Sequence, residues 1–173
     1  MITHLQGKIA STWTSTGLGD CAVGLLSSPL SLGKALSPTT ALLSGGDFTT
    51  AFGDDGSFWD SVTWVGYVGL RDCSPNLPPR LPDDLPLPPW QEMVELRYGF
   101  APEAWGKGFG TECAKALMLW GEKEMGVRRY VAETERANVG SGGILGKLGF
   151  VKREGIEYWK EESEFEWEMF VKK

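Results

Sequence analysis

The chain has 173 residues, 42% hydrophobic and 23% charged, which is enough to bury one real core and favours a single domain over residues 1–173. A net charge of -6 with both signs interspersed excludes the broad basic surface of a nucleic-acid binder. The apolar runs stay short of the roughly 18 residues of a membrane span, and residues 1–6 lack a basic stretch ahead of an apolar core. A cytoplasmic protein without membrane or nucleic-acid partners is therefore expected. Three widely separated cysteines (Cys21, Cys73, Cys113) argue against a disulfide framework and a Cys-x-x-Cys knuckle. With His4 as the single histidine, a His-based zinc site and a Ser-His-Asp triad are nearly excluded, so no metal is expected.

Residues 1–57 are rich in Gly, Ser, Thr and Leu and show no sustained period, so this third carries no assignable element. Residues 61–70, with Val62, Trp64, Val65, Tyr67 and Val68, predict a strand. Seven prolines between Cys73 and Gln91 predict an extended surface loop over about 72–92 joining two strands. The next strand, residues 93–100, places Val94, Leu96 and Tyr98 on one face and Glu95 and Arg97 on the other.

An amphipathic helix follows over about 111–125, with Phe109, Cys113, Ala116, Leu117 and Trp120 as its predicted apolar stripe. Gly126 is placed to end it in the left-handed conformation. Residues 129–134 predict a short strand. Residues 138–148 predict a helix weakened by Gly140, Gly142, Gly143 and Gly146, each costing about 1 kcal/mol against alanine. Near the C-terminus, Phe165, Trp167, Met169 and Val171 alternate with glutamates, a strand period.

The segment Trp105-Gly106-Lys107-Gly108-Phe109-Gly110-Thr111-Glu112 sits between a strand end and a helix start. Alternate glycines open torsions that let successive N–H groups converge, and the helix dipole behind them favours an anion such as a pyrophosphate. The Walker pattern fails because Lys107 lies inside the glycines, and the dinucleotide fingerprint fails because the third glycine comes one residue early. A glycine-rich turn without ligand remains the plain alternative.

In order and spacing, three pieces resemble the GNAT superfamily of N-acetyltransferases, and within it the branch of RimJ/RimL-like ribosomal-protein N-terminal acetyltransferases. They are Val94-Glu95-Leu96-Arg97-Tyr98-Gly99-Phe100-Ala101-Pro102-Glu103, the loop from Trp105 to Glu112, and Asn138-Val139-Gly140-Ser141 with Leu145-Gly146-Lys147-Leu148-Gly149-Phe150. The resemblance implies an α+β, three-layer fold with a mixed, mainly antiparallel sheet flanked by helices. It implies acetyl-CoA as acyl donor, a primary amine of a peptide N-terminus or small molecule as acceptor, and a monomer or homodimer. Phe100 and Ala101 would pair with the pantetheine arm. Trp105, Gly106, Lys107, Gly108, Phe109, Gly110 and Thr111 would hold the pyrophosphate, with Asn138 and Lys147 also on the cofactor. Glu95 would be the general base, and Ser141 would protonate the departing thiolate. An amine with a pKa near 10 must lose a proton before attacking a thioester, so a base is required. The plain alternatives are a solvated strand carboxylate for Glu95 and a helix-start hydroxyl for Ser141.

The sequence departs from that family in places. Leu145 stands near the position of a tyrosine acid, and Arg97 replaces a usual glycine beside Glu95. Residues 12–17 only faintly resemble a segment beyond the family's first helix, so the first strand and much of that helix are expected to be missing. That loss would leave a sheet edge unpaired and the acceptor side open. A CoA-binding pseudoenzyme is the alternative function, and a structural protein recruiting partners through its proline loop is a third.

Overall fold

The computed structural model describes residues 14, 16–25, 34–37, 40–42, 49–50, 53, 55–73, 86–153 and 164–171. Its centre is a six-stranded mixed sheet. The strands are β1 (Asp20–Leu25), β4 (Thr63–Asp72), β5 (Val94–Phe100), β6 (Arg129–Glu135), β8 (Glu164–Phe170) and β7 (Val151–Lys152), in that spatial order. Between β1 and β4 the chain forms a separate hairpin of β2 (Lys34–Ser37) with β3 (Thr40–Leu42) and a short helix, α1 (Ser57–Ser61). The longer helices are α2 (Phe109–Met125) and α3 (Val139–Leu148).

All sheet pairings are antiparallel except β5 with β6, which is parallel over only Val94↔Tyr130 and Glu95↔Val131. Beyond these two pairs the strands diverge, leaving a wedge. The expected α+β architecture with a mixed, mainly antiparallel sheet and flanking helices is what the chain adopts. The strands expected over 61–70, 93–100 and 129–134 appear within two residues of those bounds, as does the C-terminal one. Residues 74–85 of the proline-rich loop lie outside the described residues.

The first third holds more than its composition reveals. β1 pairs along its whole length with β4, so the outer edge of β4 is covered and β1 forms the margin of the sheet among the described residues. Its sequence, Asp-Cys-Ala-Val-Gly-Leu, has no clean alternation, and a bulge between Val23 and Gly24 shifts the register. Periodicity alone cannot detect such a strand.

One face of the sheet carries the core. Val68, Leu70, Val94, Leu96, Tyr130 and Ala132 pack beneath α2 and α3. The side of α2 turned inward is Ala114, Met118 and Gly121, with Cys113, Leu117 and Trp120 half-buried beside them. Of the expected stripe, Cys113, Leu117 and Trp120 thus pack against the core, and its deepest line runs one residue further along, through Ala114, Met118 and Gly121. Close approach selects small residues: a Cβ on Gly121 would stand 2.6 Å from the Tyr130 hydroxyl and 2.9 Å from Leu70. The Tyr130 hydroxyl donates to the Met118 carbonyl at 2.6 Å, locking helix to sheet. As expected, α2 ends at Gly126 with φ +69°.

Two glycines of opposite consequence test this packing. A Cβ on Gly66 would meet the Gly99 carbonyl oxygen at 2.2 Å and Phe100 Cα at 2.9 Å, whereas one on Gly146 in α3 meets nothing within 4 Å. Gly66→Ala should lower unfolding free energy by about 1–3 kcal/mol. Gly146→Ala should raise it by about 0.5–1 kcal/mol. Urea unfolding checks both signs.

Candidate functional site

The wedge between β5 and β6 opens into two adjoining cavities. The larger, about 690 Å³, lies between the end of β5, the loop before α2 and the first turns of α3. The smaller, about 290 Å³, lies deeper along β5 and β6, and Tyr98, Asn138 and Ser141 line both. The two together form one cleft with a long arm and a short, polar end.

The loop forms because the chain must turn from β5 into α2. Pro102–Ala104 make a single 3₁₀ turn, and Gly106 and Gly108 then adopt φ of +73° and +86°. A Cβ built on either would meet nothing within 4 Å, so these positions are set by backbone torsion and border open space. Gly108 is the N-cap of α2 and no side chain caps that terminus, which leaves its first-turn N–H groups available to an anion. Gly110 has a different function: its Cβ would strike Ile144 Cδ1 at 2.7 Å, so it allows α2 to approach α3.

Most predicted contact residues converge here. Phe100, Trp105, Gly106, Gly108, Phe109, Gly110, Thr111, Asn138, Ser141 and Lys147 line the larger cavity. Lys107 is exposed and outside that lining, so the cation at the wall is Lys147 from α3. Ala101 is also outside it, and its N–H donates to the Val65 carbonyl on the β4 side at 2.9 Å. Given that bond, antiparallel alternation directs the main-chain groups of Tyr98 and Phe100 away from β4 and into the wedge. The Phe100 carbonyl accepts from the indole N–H of Trp105 at 2.8 Å, holding a ring that is 67% exposed at the mouth of the cleft.

Asn138 caps α3, its side-chain oxygen accepting the Ser141 N–H at 3.0 Å. The Tyr98 hydroxyl donates to the Ser141 carbonyl at 3.0 Å. The helix start is thus clamped through both sides of one residue. Burial pushes the Tyr98 phenol up to about 12, only partly opposed by its bond to Ser141. Its bond to the Ser141 carbonyl makes this phenol a brace for the start of α3. Sequence reading placed Tyr98 on the core face without a site role; its position at the cavity junction depends on the wedge.

Glu95 is 3% exposed, not a solvated strand carboxylate. It lines the smaller cavity together with Tyr67, Arg97, Glu133 and Glu135. Arg71, directly opposite in the β4–β5 register, donates from Nε to Oε2 and from Nη2 to Oε1, the latter at 3.0 Å. Arg97 brings its Nε to 3.7 Å from Glu95 Oε1 and donates from Nη1 to Asp20 Oδ2 at 3.3 Å. Burial raises the Glu95 pKa, opposed chiefly by Arg71 and then by Arg97. No local pattern points to Arg71 or Asp20, since strand register brings Arg71 to Glu95 and Asp20 to Arg97.

No cluster of three or more His, Cys, Asp or Glu among the described residues could hold a metal ion. Nor is any helix among them long and apolar enough to cross a membrane.

The family model for the acetyltransferase (GNAT) domain matches residues 48–151, which include β4, β5, the glycine loop, α2, β6 and α3. The chain belongs to the GNAT acetyltransferase family. A curated relative, the uncharacterized N-acetyltransferase YnaD of Bacillus subtilis, is 32% identical over 80 residues, covering 41% of this chain and 46% of that protein. The match thus spans less than half of the relative's length. Among solved structures, an acetyltransferase from Agrobacterium tumefaciens superposes with a TM-score of 0.58 at 13% identity, covering 94% of this chain and 67% of that one. A point mutant of the spermidine N-acetyltransferase SpeG from Vibrio cholerae superposes with a TM-score of 0.56 at 11% identity, over 98% and 75%. At such identities the two structures speak for the GNAT fold alone.

The clamp on Ser141 in this GNAT domain is open to test. Asn138→Ala should destabilise the protein by about 0.5–2 kcal/mol through loss of the cap. Tyr98→Phe should cost about 0.5–1.5 kcal/mol. Chemical denaturation reads both, and unchanged midpoints would remove the clamp from the account.

Proposed function

We propose that this chain is an acetyl-CoA-dependent N-acetyltransferase that moves the acetyl group directly to a primary amine within a ternary complex. The observation that carries this reading is the uncapped, glycine-rich start of α2 facing a long cleft that ends at a buried, ion-paired carboxylate. Gly106 and Gly108 border open space at positive φ and so suit the close approach of a diphosphate to main-chain N–H groups. Lys147 adds a positive charge on the opposite wall. The edge of β5 at Tyr98 and Phe100, directed into the wedge, suits an extended pantetheine arm as a strand partner.

The donor supplies a thioester carbonyl, and the protein supplies proximity and proton management. Holding amine and thioester together provides much of the rate enhancement, without a covalent enzyme intermediate. In this reading Glu95 receives the ammonium proton, directly or through a bridging water, each of its oxygens accepting from Arg71 and keeping a second lone pair for the proton. Ser141, at the junction of the two cavities, is the proposed proton donor to the departing sulfur. Trp105 at the head of the loop and the order of the three motifs favour the branch that resembles ribosomal-protein N-terminal acetyltransferases. A peptide N-terminus or a small amine is the corresponding acceptor.

Acetyl-CoA should raise the melting temperature of the protein by ligand linkage, by an amount that grows with concentration. Gly108→Val should weaken its affinity at least about tenfold, close to 1.4 kcal/mol, in calorimetry. With a panel of amines, acceptor-stimulated release of free CoA is expected, and Glu95→Gln should lower that rate by about 10²-fold or more. Binding without turnover on any amine would instead identify a CoA-binding module.

A further inference from the structure

Two guanidinium groups surround Glu95, more than proton acceptance alone requires. A carboxylate buried to 3% exposure becomes neutral unless a cation compensates the lost hydration. Arg71 supplies that cation from the neighbouring strand and contacts both carboxylate oxygens. The forked geometry fixes the plane of the carboxylate as well as its charge. Arg97 cannot replace it, since its guanidinium is divided between Glu95 and Asp20 of β1.

We propose that Arg71 is a positioning residue of the acceptor site, holding Glu95 ionised and oriented at the smaller cavity and so setting the pH range in which the site can accept an amine's proton. This inference rests on the acetyltransferase reading above.

The charged and titratable groups around Glu95 are Arg71, Tyr67 and Cys73 from β4 and its end, Arg97 and Tyr98 on its own strand, Asp20 from β1, and Glu133 and Glu135 along the cavity wall on β6. The two arginines lower its pKa against burial and Asp20, with Arg71 the stronger of the two. Without Arg71, burial and Asp20 are opposed by Arg97 alone, so protonation of Glu95 moves to higher pH. The active form is the carboxylate, present above that pKa. The deficit of an Arg71 variant must therefore be largest at acidic pH and shrink as pH rises. An arginine that merely braces the sheet would produce a deficit independent of pH.

The test uses the full chain, Arg71→Gln and Arg71→Lys, with acetyl-CoA and an amine acceptor, and measures kcat/KM from about pH 6 to about pH 10. In parallel, carbon-detected NMR follows the Glu95 carboxyl through its titration, and calorimetry follows acetyl-CoA binding. For Arg71→Gln the expected result is a loss that reaches up to about tenfold at the acidic end of the range and recovers toward the alkaline end. The Glu95 midpoint should rise by about one unit, the equivalent of that factor, with acetyl-CoA affinity unchanged. Arg71→Lys, which keeps the charge and loses the fork, should show a smaller rise in midpoint and a partial recovery of kcat. If the glutamine variant does not fold, the lysine variant alone decides. An unmoved Glu95 midpoint in the variants that fold, with a pH-independent loss or none, would overturn the proposal. Absence of acetyl-CoA heat in the parent protein would instead overturn the acetyltransferase reading, and the NMR midpoint would still show whether Arg71 governs Glu95.

Discussion

The site depends on how soon β5 and β6 stop pairing. Two parallel residue pairs, at Val94 and Glu95, join the halves of the sheet, and past them the strands separate. A strand edge that leaves its partner exposes main-chain donors and acceptors that need other partners. The start of α3 and the two cavities occupy that gap, which brings Tyr98, Phe100, Asn138 and Ser141 together although they lie on separate elements. Continued pairing to the ends of both strands would close the gap and abolish the cleft.

The two faces of the sheet serve different purposes. The face under α2 and α3 is apolar and packed closely, with Gly121 and Ala114 admitting the helix and the Tyr130 hydroxyl tying it to the strands. On the opposite face Asp20, Arg97, Glu95 and Arg71 form a line of ion pairs across β1, β5 and β4. Such groups are costly to bury singly and tolerable only when paired and hydrogen-bonded. Their common location at the short end of the cleft links the sheet's architecture to the protonation of Glu95.

Much of the fold was legible because it obeys simple periods. The alternation in β5 and β8, the amphipathic run of α2 and the glycine after it predicted their elements to within about two residues. The glycine loop was legible because few residues other than glycine adopt the torsions seen at Gly106 and Gly108. β1 was not legible, since a bulge and a weak pattern conceal it, and neither was the innermost line of α2, because small residues mark its closest approach to the sheet.

By itself, the sequence determined the order of strand, loop and helix, the glycine torsions of the turn and the presence of a carboxylate on β5. All of these are local properties, fixed by residue type and spacing. The tertiary structure decided that Arg71 and Asp20 reach Glu95 and its neighbour, that Tyr98 joins Asn138 in holding Ser141, and that Lys147 rather than Lys107 lines the cleft. Those relations depend on register between strands distant in the chain and on where two of them part, and no local pattern encodes either.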